Sequence, residues 1–135
     1  MEEFISDEKY RELIPDGKYE AQCVHCDGKF CLGKARKLFL IFKIIESGDY
    51  FGKQVFMAFN MPYSGKVSAG SKYFKNWVMV NGWQKPSRNA TMSPRLFLNK
   101  IYIVKTRTVK PLHNGKEMPE AFCYAVVDEI IEVCA

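Results

Sequence analysis

The run Cys23-Val24-His25-Cys26 followed by Cys31 gives C-x-x-C-x-x-x-x-C with a histidine inside it. Thiolates and an imidazole at such spacing are ligands for structural zinc, which takes four of them in a tetrahedron. A second C-x-x-C is absent, so Cys123 or His113 would have to be carried alongside by the fold. Strand alternation would also place Cys23 and His25 on one face and Cys26 on the other. Free thiols are therefore the expectation, with Cys23, Cys26 and Cys31 as the residues a metal would use and no cofactor assigned. The amino terminus, Met-Glu-Glu-Phe-Ile-Ser-Asp-Glu, is acidic where a secretory signal would be basic and then apolar. Five cysteines behind such a terminus argue against disulfides and for a cytoplasmic protein.

Catalytic constellations are missing. His25 and His113 are the only histidines, and no serine sits in a nucleophile elbow. No H-E-x-x-H, phosphate loop or dinucleotide fingerprint is present. Across residues 21–110 the only carboxylates are Asp27, Glu46 and Asp49, too scattered to hold magnesium for phosphoryl chemistry. The sequence reads as a non-enzyme.

What the sequence does carry is basic and aromatic residues interleaved. Lys37, Phe39, Ile41 and Lys43 alternate along one apolar segment, and Gln54, Phe56, Ala58 and Asn60 along the next. Lys29, Lys34 and Arg36 precede them. Trp83, Lys85 and Arg88 form a second tract, and Lys105 and Arg107 a third. Cations draw phosphates, and exposed rings give unpaired bases a surface to stack on. Each has a plainer reading: Phe39 and Phe56 packed under a terminus or a partner, the lysines simply solvated.

Net charge is +5 over 135 residues, but it is unevenly spread. Residues 1–20 hold seven acids and three bases, and residues 111–135 five acids and one base, −4 at each end. Residues 21–110 hold three acids and sixteen bases, +13. A strongly basic middle lies between two acidic ends.

The elements that must position these residues follow from periodicity and punctuation. An acidic segment over 1–13, with one or two helical turns from Phe4 to Leu13, is stopped by Ile14-Pro15-Asp16-Gly17. Strands are expected over Lys18–Cys26, Lys37–Glu46 and Lys53–Met61, the last two joined by the Gly-rich turn 47–52. In the second, Leu38, Leu40, Phe42 and Ile44 share the core face. Ser71 caps a helix that buries Tyr73, Phe74, Trp77 and Val78 and ends at Gly82. Ser93-Pro94 opens a short turn of helix. Strands over Ile101–Val109 and Phe122–Val133 complete the set, with a turn at His113–Lys116. The order strand, strand, strand, helix, strand, strand is that of an OB-fold-like five-stranded barrel, all-β with one inserted helix, in a single domain over 14–135.

Ile14-Pro-Asp-Gly-Lys-Tyr19, then Phe42-Lys-Ile-Ile-Glu46 running through Gly48-Asp-Tyr-Phe-Gly52 to Phe56, resembles a pattern of small phage and integrative-element proteins. Those have a Pro-x-Gly-x-Tyr opening, an apolar strand, an acidic Gly-x-Tyr-x-Gly turn and a second apolar strand. Some are regarded as OB-like accessory proteins that bind single-stranded DNA. The match covers about residues 14–60. It implies a mobile-element DNA replication or recombination accessory. Replicative binders carry a long tail with an acidic, Phe-containing tip, whereas this chain ends Glu132-Val-Cys-Ala135 directly after a predicted strand.

The functional expectation is a single-stranded nucleic-acid binder, with DNA as the ligand. Lys34, Arg36, Lys37, Lys43, Lys85, Arg88, Lys105 and Arg107 would contact phosphates, and Phe39, Phe56 and Trp83 would stack. The rival is a protein-interaction module docking on a host nucleic-acid machine. Exposed strand edges could also pair two copies into a homodimer.

Overall fold

The computed structural model describes residues 12–30, 36–62, 65–88 and 90–135. Most of the acidic segment 1–13, with its expected helical turns, and also Cys31 and Lys34, lie outside the described residues.

Strands β1 (Gly17–Phe30), β2 (Arg36–Ile44) and β3 (Gln54–Met61) form an antiparallel meander. Helix α1 (Lys72–Val80) and a 3₁₀ turn (Pro94–Phe97) lead into β4 (Ile101–Val109). The two-residue strands β5 (Leu112–His113) and β6 (Lys116–Glu117) make a hairpin where the sequence suggested only a turn. A second 3₁₀ turn (Glu120–Phe122) precedes β7 (Tyr124–Val133). The five long strands close in the order β1-β2-β3-β7-β4 and back to β1, with β3 and β7 parallel. With one α-helix among the described residues, inserted before β4, this is the OB-fold arrangement.

Side-chain alternation drives the closure. Leu38, Leu40, Phe42 and Ile44 of β2 face inward with Val55, Met57 and Phe59 of β3, Tyr102 and Val104 of β4, and Ala125, Val127 and Ile130 of β7. The turn between β2 and β3 needs left-handed backbone at Gly52 (φ 86°), whose N–H donates to the Ile44 carbonyl at 2.8 Å. Ser71 caps α1 as its position predicts, its Oγ accepting from the Phe74 N–H at 3.1 Å. Tyr73, Trp77 and Val80 are the buried helix residues. Ser93 caps the 3₁₀ turn in the same way.

Two sequence expectations are corrected here. The first strand runs to Phe30 rather than Cys26, because Asp27, Gly28, Lys29 and Phe30 pair with Phe39, Leu38, Lys37 and Arg36. It also carries a β-bulge: Cys23 opposes Phe42 while His25 opposes Ile41, so one residue is extra. The bulge resets the alternation. Cys26, opposite the inward Leu40, packs against the core with Cys23, and His25 is exposed.

Burial pushes the Cys23 thiol up from its ordinary 9.0 to about 12. It also raises the phenols of Tyr73 and Tyr102 above their ordinary 10.0. Below pH 9 all three groups are protonated in both the folded and unfolded chain. Above it the unfolded thiol ionises while the buried one cannot, so stability falls between 9.0 and about 12, and the tyrosines add to the loss above 10.0. Urea denaturation at stepped pH should show a midpoint that drops steadily above pH 9. A level profile to pH 11 would contradict this burial.

Candidate nucleic-acid interface

The outer face of β2 and β3 is a packed seam. Phe39 and Phe56 are half-buried and meet edge to face at 5.5 Å, while Phe56 lays its face on Tyr124 at 6.0 Å with 23° between the rings. Ile41 of β2 and Val126 of β7, which flank Phe56 on either side, are also buried, Ile41 fully although it points out of the barrel. Lys43 sets its ammonium 5.8 Å from the Phe51 ring centroid. Lys37 and Asn60, opposite each other at the far end, are exposed.

The β4 cations lie next to acids from the chain's C-terminal part. Arg107 donates from Nε to Asp128 Oδ1 at 2.9 Å, and Lys105 stands opposite Glu129 in the β4–β7 register. The Arg107–Asp128 pair is about half exposed and adds little stability, but it cancels charge on this face. Lys72, above the Phe59 ring at 5.4 Å, is held below the ordinary lysine range by burial, with Arg107 acting the same way and Asp128 against it.

The β4 cations belong to a longer basic stretch. From Tyr50 to Lys116 the sequence has no Asp or Glu and twelve Lys and Arg. Part of this stretch borders a groove of about 620 Å³ between the start of β2, the end of β3, the first turn of α1 and residues 86–94. Arg36, Lys37 and Lys66 line it, and none of its described lining residues is acidic. Leu38, Met61, Val67 and Phe74 give it apolar walls. Its shape is held by two ring donors: Tyr73 O–H to the Met92 carbonyl at 2.6 Å, and Trp77 Nε1–H to the Ser93 carbonyl at 3.0 Å. Sequence reasoning found Arg36 and Lys37, and Arg88 within the 86–94 stretch, but missed Lys66, Phe74 and the wall residues Pro86 and 90–94, because that wall has no periodicity. The absence of acids from Tyr50 to Lys116 was the available signal.

Trp83 adjoins this wall in sequence and is 74% exposed. It follows α1 in a helix-terminating turn: Asn81 N–H bonds the Trp77 carbonyl and Trp83 N–H bonds the Val78 carbonyl, both at 2.9 Å. In such a turn the residue at the position of Trp83 usually packs back on the helix. Here Gly82 (φ 71°) and Trp83 (φ 63°) are both left-handed. That backbone costs a bulky residue about 1–2 kcal/mol. Asn81 Nδ2 donates to the Gln84 carbonyl at 2.9 Å and pins the next residue. Lys85 and Arg88, which follow, are exposed.

Cys23, Cys26, Cys123 and Cys134 are free thiols, and no three His, Cys, Asp or Glu side chains among the described residues converge as a metal site. No helix among the described residues is long and apolar enough to cross a membrane. Comparison with protein families and with curated protein sequences finds no match.

Proposed function

We propose that this protein is a non-catalytic binder of single-stranded nucleic acid, DNA in the first instance, serving a phage or mobile element. The observation that carries this reading is Trp83. A large ring held out to solvent on left-handed backbone, followed by the exposed Lys85 and Arg88, offers a stacking surface beside cations that can contact phosphates. The OB-like barrel and the resemblance of residues 14–60 agree with it. Lys37 extends the cationic surface, whereas Phe39 and Phe56 are half-buried against each other and Arg107 is shared with Asp128.

Binding of a labelled dT 30-mer, followed by anisotropy, tests the reading. About five phosphate contacts (Arg36, Lys37, Lys66, Lys85 and Arg88) give a log–log salt slope near −3.5, so affinity should fall roughly a hundredfold between 50 and 200 mM salt. Absence of binding at 50 mM salt would overturn it.

One observation favours a protein partner instead. At the other end of the barrel Leu13 borders a cavity of about 630 Å³ with Met118 and Cys123, and Leu112 and Phe122 are exposed nearby in sequence. That reading expects a partner retained after nuclease treatment and lost with Leu112→Ser and Phe122→Ser.

A further inference from the structure

We infer that the groove beside β2 and α1 is a pocket for one unpaired nucleotide, accepting its base without reading which base it is and its phosphate through Lys37 and Lys66. This rests on the nucleic-acid reading above and goes beyond it by naming the unit bound and the lack of discrimination.

A volume of about 620 Å³ lies in the range of small-ligand clefts and suits a nucleoside monophosphate rather than a folded duplex. Charge selects the ligand: the described lining includes three cations and no carboxylate, so an anion is favoured and a cationic or zwitterionic guest is not. The apolar surface selects further. Leu38, Met61, Val67 and Phe74 offer nothing to inorganic phosphate, but they match the flat, largely apolar face of a base.

The lack of base discrimination follows from where the polar groups point. A pocket that reads a base leaves donors and acceptors aimed at its edge, and these reject a wrong partner when left unmet. Here the Tyr73 hydroxyl donates to Met92, the Ser93 carbonyl accepts from Trp77, and Ser93 Oγ accepts from the Arg95 N–H. These three groups hold the wall against the helix, and the one other hydroxyl of the described lining, on Thr91, is exposed. The pocket is therefore built in advance, and its base contact is by shape.

Titration of the isotope-labelled protein with dTMP, dAMP, dCMP, dGMP, thymidine and inorganic phosphate, read by amide chemical shifts, tests this. The four monophosphates should shift the same amides around Lys37 and Lys66, with affinities within about threefold of one another. Thymidine should bind at least about tenfold more weakly, and inorganic phosphate should not reproduce the shifts near Phe74. Lys37→Glu with Lys66→Glu should weaken dTMP about tenfold or more, with the thermal melt of the same variant confirming that it is folded. Tyr73→Phe, which frees the Met92 carbonyl without removing the ring, should introduce a base preference. Binding of the dT 30-mer with no monophosphate shifts would overturn the pocket and leave the proposed function standing. Monophosphate binding without 30-mer binding would do the reverse. A preference above tenfold for one base, or phosphate acting alone, would overturn the inference.

Discussion

Trp83→Gly is expected to raise stability and abolish most nucleic-acid affinity in the same molecule. The stabilising half follows from the backbone. Trp83 sits at φ 63°, where a residue with a Cβ is strained and glycine is not, and its ring is 74% exposed with little packing to lose. Removing about 1 kcal/mol of strain should raise the melting temperature by about 3 °C in a domain of this size, less whatever the added freedom of glycine gives back to the unfolded chain. The functional half follows from stacking, worth about 1–3 kcal/mol per base, so affinity for dT should fall about 5- to 150-fold. Opposite signs cannot come from partial unfolding. Trp83→Phe, which keeps a ring on the same backbone, should hold most of the affinity. The fluorescence change on binding should disappear with Trp83, because Trp77 is buried with its Nε1 bonded to Ser93. Wild-type affinity in Trp83→Gly would remove the residue from the interface.

The largest loss of stability should come from Tyr102→Ala. Tyr102 is fully buried on β4, meets Phe42 of β2 edge to face at 5.7 Å, and donates its hydroxyl to the Phe97 carbonyl at 2.8 Å. Truncation leaves a cavity among Phe42, Phe97 and Val104 and should cost about 3–5 kcal/mol. Natural domains hold about 5–15 kcal/mol in all, so a melting temperature lower by roughly 10 °C or more is expected. Tyr102→Phe keeps the ring and removes only the hydroxyl, leaving the Phe97 carbonyl without this donor. It should cost about 1–2 kcal/mol. Thermal unfolding of the two variants separates packing from hydrogen bonding, and equal losses would contradict the description of this site.

Much of the barrel was legible in sequence because its strands are half-buried and alternate. Leu38, Leu40, Phe42 and Ile44 were placed inward by spacing alone, and Ser71 and Ser93-Pro94 marked helical starts correctly. The bulge at Cys23–His25 was not legible. It depends on which β2 residue each β1 residue opposes, and one extra residue reverses the inferred face of Cys26. The burial of Ile41 and Val126 on the outside of the barrel was hidden for a related reason, since parity says which way a side chain points and not whether anything covers it. Charge was legible along the chain, but not which acids stand beside which cations. Lys105 and Arg107 looked available on their own strand, and only the pairing of β4 with β7 sets Glu129 and Asp128 beside them. Trp83 lay one residue past a helix-ending glycine, and its strained backbone had no sequence signature.

The seam between β3 and β7 has a consequence for how the barrel assembles. The two strands share a single parallel pair, Phe56 with Val126. Near it Glu12 bridges both sides: its carbonyl accepts from the Ala125 N–H at 2.8 Å, and its carboxylate from the Gln54 N–H at 2.9 Å. The meander β1–β2–β3 can form from neighbouring sequence. Closing the cylinder has to wait until β7 is present and the chain just ahead of β1 has returned to meet it. Pairing over such sequence separations is slow because loop entropy must be overcome before any contact rewards it. The seam cannot close before β7 has been synthesised, so on the ribosome β1, β2 and β3 emerge before the strand that completes their barrel.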